Sequence, residues 1–82
     1  MSIQEDAERL RNIPLPFGEI QQAMQVLTDA QSQAQTILGD NNRCREVLGA
    51  LETAKTSLDG AYSVVQEAER QITEAANHHA NG

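Results

Sequence analysis

Apolar residues recur every three or four positions along most of the chain, the pattern of helices that bury one stripe. The clearest stretch lies between about residues 42 and 77. One row reads Cys44, Leu51, Leu58, Val65 and Ile72, and a second reads Val47, Ala54, Ala61, Ala68 and Ala75. The rows interleave in alternating steps of three and four, a heptad that predicts one long helix with a coiled-coil seam. Alanine on one row favours close approach of a neighbouring helix. Leu48, Ala50, Tyr62 and Val64 widen the face. Leu58-Asp59-Gly60 is a turn signal inside this run, and a break there would make a three-helix bundle. The register continues past it, however, and glycine on an exposed helix face costs only about 1 kcal/mol. The pattern therefore predicts an unbroken helix.

A second helix is predicted over about residues 17–38. Its seam is Ile20, Met24, Leu27 and Leu38, with Ala34 in register and Ala23, Ala30 and Ile37 beside it. Pro16 suits the start of this helix, and Glu19 falls in its first turn, where a negative charge is favoured. Gln31 stands where the heptad calls for an apolar residue. Two readings follow: a buried polar group that fixes register or partner choice, or a wider, wetter end of the seam. Residues 39–42, Gly-Asp-Asn-Asn, read as the turn, with one Asp or Asn capping the next helix.

The N-terminal segment predicts a short helix over about residues 3–11. Ser2 and Glu5 match a capping box, and Ile3, Ala7 and Leu10 have helical spacing. A helix this short is marginal alone and has to dock. Residues 12–16 hold two prolines and break it. Ile13, Leu15 and Phe17 make this connector apolar, a docking strap that packs along helices. Residues 78–82 have no pattern and read as a tail.

The expected fold is all-α: one domain over residues 1–82, an antiparallel helical hairpin with a short extra N-terminal helix. The C-terminal helix outlasts its partner by over a dozen residues. Val65, Ala68, Ile72 and Ala75 then need the N-terminal helix or another chain to cover them. A hairpin buries one stripe per helix, and a chain of 82 residues has a small core. We therefore expect a four-helix assembly of two hairpins, or a hairpin docked on a larger partner.

Charge narrows the partners. Twelve acidic against six basic residues give a net charge of -6. Nucleic acid and anionic membrane surfaces call for the opposite sign. No run of 18 apolar residues is present, and the N-terminus lacks the apolar core of a Sec signal peptide. The single cysteine excludes an internal disulfide and suits a reducing compartment. The expected location is cytoplasmic, with Sec-independent export or a virion as alternatives. Cys44 lies between Arg43 and Arg45 near a helix start, which favours a thiolate, yet a small core residue is the simpler reading. His78 and His79 are adjacent and point about 100° apart on a helix, so they do not chelate together. Glu67 and Glu69 have the spacing of a solvated face. We expect no catalytic, cofactor-binding or metal-binding residues.

An acidic chain of two long helices joined by a tight turn resembles the WxG-motif family of small type VII secretion proteins. Ile37-Leu38-Gly39 occupies the place of that family's Trp-x-Gly, with Ile37 where Trp would stand. Tyr62 is followed four positions later by Gln66, where the family's C-terminal signal has an acidic residue. The resemblance spans about residues 17–77 and implies a hairpin that pairs with another hairpin. The functional expectation is a non-enzymatic protein–protein interaction module whose partner is a second copy, as a homodimer or higher oligomer, or a larger protein. The alternative is a structural or assembly component of a phage virion or similar particle.

Overall fold

Each helix starts and stops where nearby groups satisfy its terminal backbone. The computed structural model describes residues 2–81, which contain α1 (Ile3–Arg11), α2 (Phe17–Leu38) and α3 (Asn42–Asn81). Ser2 caps α1: its Oγ accepts from the Glu5 N–H at 3.1 Å, the first half of the expected capping box. At the other end the Asn12 N–H donates to the Glu8 carbonyl at 3.0 Å. The prolines then hold residues 13–16 out of helix.

Three residues reverse the chain between α2 and α3. Gly39 takes a positive φ of 72°, a conformation that glycine adopts without strain. Its N–H closes α2 on the Gln35 carbonyl at 3.0 Å. Asn41 then ties the two helices together. Its Nδ2 donates to the last carbonyl of α2, at Leu38, and its Oδ1 accepts from the Cys44 N–H of α3, both at 2.8 Å. One side chain thus satisfies an orphan acceptor and an orphan donor.

α3 is unbroken through Gly60, as its register predicts. It also runs further than expected. Residues 78–81, read from the sequence as tail, continue the helix to Asn81, while Gly82 lies outside the described residues. The reason is tertiary: α1 lies against this end. Arg11 donates to Asn77 Oδ1 at 2.9 Å, and His79 Nε2 sits 3.6 Å from Asp6 Oδ2. Ala7 and Ala76 beside these contacts are fully buried.

The chain's contacts group it into two compact units. One comprises residues up to Pro16 and those from Ser63 onward, that is, α1 with the C-terminal part of α3. The other is Phe17–Tyr62, the hairpin of α2 with the N-terminal part of α3. The long end of α3 is therefore met by the N-terminal helix, one of the two covers anticipated above. Among the described residues the buried core consists of Ala7, Ile20, Cys44 and Ala76, and no large side chain is fully buried.

Two tests follow from this backbone. A Cβ on Gly49 or Gly60 would meet nothing within 4 Å. Gly49→Ala and Gly60→Ala should each raise stability by about 0.5–1 kcal/mol, seen as a higher thermal midpoint. Asn41→Ala should lower it by about 1 kcal/mol in urea titration, since both helix ends lose their partner.

Candidate interaction surface

The hairpin unit has two unlike sides. α2 turns Ile20, Leu27, Ala34 and Leu38 toward α3, which answers with Cys44, Leu51 and Leu58. Flanking this line, helical spacing places pairs of adjacent residues that are both inward-tilted. On α2 the pairs are Ala23/Met24 and Ala30/Gln31, and on α3 they are Val47/Leu48 and Ala54/Lys55, all half-buried. Within each pair one residue leans to one side of the hairpin and its neighbour to the other.

Gln31 identifies the polar side. Its Nε2 donates to Glu52 at 3.0 Å, and its Oε1 accepts from Lys55 Nζ at 3.2 Å. Met24 joins them, lining a groove with Glu52, Lys55, Thr56 and Asp59. Gln31 therefore bridges the two helices from a half-buried position, through one exposed and one part-buried hydrogen bond. Because Gln31 and Lys55 meet on this side, Ala30 and Ala54 occupy the other. Ala23 goes with them, lining a shallow groove with Val26, Leu27, Gln22 and the carboxylate-bearing Glu19. Val26 is 58% exposed and Ile37 78% exposed. Ile37 continues the same flank, eleven residues or about three turns beyond Val26.

The end of the hairpin unit is closed by rings. Phe17 meets Tyr62 edge to face, with centroids 5.1 Å apart and planes at 65°. Phe17 thus belongs to the first turn of α2 and packs there. Within the expected docking strap, Leu15 is half-buried, whereas Ile13 is 45% exposed.

Ile20 and Cys44 are buried; Met24, Leu27, Leu38, Val47, Leu51, Ala54 and Leu58 are half-buried. Further along, Val65 and Ile72 remain half-buried, but Ala61, Ala68 and Ala75 are exposed. Tyr62 and Ala76 turn inward instead. A straight α-helix repeats every 3.6 residues and drifts by about 20° per heptad from a 3.5-residue pattern. Over four heptads that drift carries the alanine row off the inner face. The sequence signal for Tyr62 and Ala76 was a 3.6-residue count, which the regular heptad spacing masked.

The electrostatics are those of a helix surface. Arg70 holds Glu67 at 2.6 Å and Glu74 at 2.5 Å. The hydrogen bonds from Arg70 and then Gln71 pull Glu67 down to about 2, and the pairing with Glu67 raises Arg70 above its ordinary value. A lowered carboxyl supports the fold fully above its unfolded value of about 4.5 and ceases to as pH falls through about 2. Among the described residues, no three His, Cys, Asp or Glu side chains converge to hold a metal ion. None of the described helices is long and apolar enough to cross a membrane. No family model matches the chain, and neither a curated protein nor a solved structure matches it.

Cys44 is a free thiol at 3% exposure in the hairpin core. A thiol reagent should label it slowly in native protein and rapidly in denaturant. Rapid native labelling would contradict its core placement.

Proposed function

We propose that this chain is a non-enzymatic helical interaction module that works by associating with further copies of itself. The observation that carries the reading is the imbalance between core and surface. A folded monomer of 9.0 kDa is expected to expose about 4,850 Å². This chain exposes 5937 Å², some 1,100 Å² more, over a core of three small residues and one isoleucine. A standard interface buries about 800 Å² per partner. Association supplies the burial that the single chain lacks.

Two grooves on the hairpin unit bring Met24 and Leu58 together with Glu52, Lys55, Asp59 and Tyr62 on open helix faces, a mixed apolar and charged lining suited to contact with another protein surface. The WxG-like architecture, with Ile37-Leu38-Gly39 at the turn, agrees with a pairing role. Our reading places the chain beside that group as a diverged hairpin.

Light scattering behind size exclusion, across a hundredfold concentration range, tests the proposal. A dimer or higher oligomer that dissociates on dilution is the expected result. A folded monomer at every concentration would overturn it.

A further inference from the structure

The side of the hairpin marked by Ala30 and Ala54 differs from its opposite in charge, shape and exposure. We infer that a second copy of the chain docks on this side, hairpin unit against hairpin unit. The inference rests on the self-association proposed above and adds the surface that performs it.

Charge is the first argument. Each copy carries -6, so two copies repel wherever carboxylates face each other. Between Val47 and Ala61 the charged residues of α3 are Glu52, Lys55 and Asp59, and all three line the groove on the Gln31 side. Beyond Glu19, the one charge on α2 is Asp29, which helical spacing turns away from α3 and which accepts from Gln25 Nε2 at 3.0 Å. Between Val26 and Ile37 on α2 and between Val47 and Ala61 on α3 the Ala30/Ala54 side is thus free of charge, while Glu19 lines the groove at its Ala23 end. Two acidic copies can meet along that length without desolvating a carboxylate, provided the contact leaves Glu19 at its solvated margin. A basic partner would be drawn to the other side.

Shape is the second. Ala30, Ala50, Ala54 and Ala61 are small, and axial separation between packed helices falls as the contacting side chains shrink. Val26 and Ile37 project from this low surface at 58% and 78% exposure. Methyl-rich side chains left in water on a monomer gain most from burial against a like surface. The third is area: taken over the whole chain, the surplus of roughly 1,100 Å² is of the size that one protomer contributes to a stable dimer.

The test uses the full chain with Val26→Glu and Ile37→Glu together, and Gln21→Glu on the opposite side as control. Light scattering gives the mass and circular dichroism the helicity. Should the double variant lose helicity, Ile37→Glu alone takes its place, since that position is the most exposed of the large apolar residues. The expected result is a dimer for the wild type and the control, and at least about tenfold weaker association for the glutamate variant with helicity kept. Wild-type association that survives Val26→Glu/Ile37→Glu, or that Gln21→Glu weakens equally, would overturn the docking side and leave self-association standing. A wild type that is monomeric throughout would overturn self-association itself, and this inference with it.

Discussion

The hairpin depends on a chain reversal completed in three residues. Gly39 supplies the left-handed turn, and Asn41 bonds the end of α2 to the beginning of α3. With so short a connection the helices must run antiparallel, and their register is set from the turn outward. Cys44 is buried close to this point, and Gln31 reaches Glu52 and Lys55 some two turns up α2. Every pairing up to Phe17 against Tyr62 follows from that first registration.

Small side chains then determine what kind of protein this is. A hairpin seamed by Ala23, Ala30, Ala34 and Ala54 brings its helices close but buries little area. The result is a core of Ala7, Ile20, Cys44 and Ala76 beneath a total surface larger than the chain's mass predicts. Polar bridging is concentrated on the Gln31 side, where it orients the two helices. The opposite side carries no charge between Val26 and Ile37 on α2 or between Val47 and Ala61 on α3, and two of the exposed aliphatics, Val26 and Ile37, project there. In the proposed self-association, surface left uncovered by the fold would be the means of binding, which would link stability to association.

The second unit shows the same economy. α1 is nine residues long, too short to persist alone, and is held by a cap at Ser2 and by contacts at Asp6 and Arg11. It in turn extends α3. Residues without any apolar rhythm, His78 and His79, remain helical because their neighbours Ala76 and Asn77 have partners.

Local signals decided the elements. Ser2, the Pro14/Pro16 pair, Gly39 and the Asp-Asn turn act within a few residues of where they stand, so the helix starts at Ile3, Phe17 and Asn42 could be read directly. The continuity of α3 through Gly60 was legible as well, since an apolar stripe keeps its own phase. The tertiary structure decided the end of α3, because the contact that sustains it comes from α1, some seventy residues away in the chain. It also decided which alanines face inward. Periods of 3.5 and 3.6 are indistinguishable over one or two turns, and separate only when a straight helix carries the difference as far as Ala75 and Ala76. The two sides of the hairpin were hidden for a related reason. Ala30 and Gln31 are neighbours in sequence, and only packing against Lys55 assigns them to opposite faces.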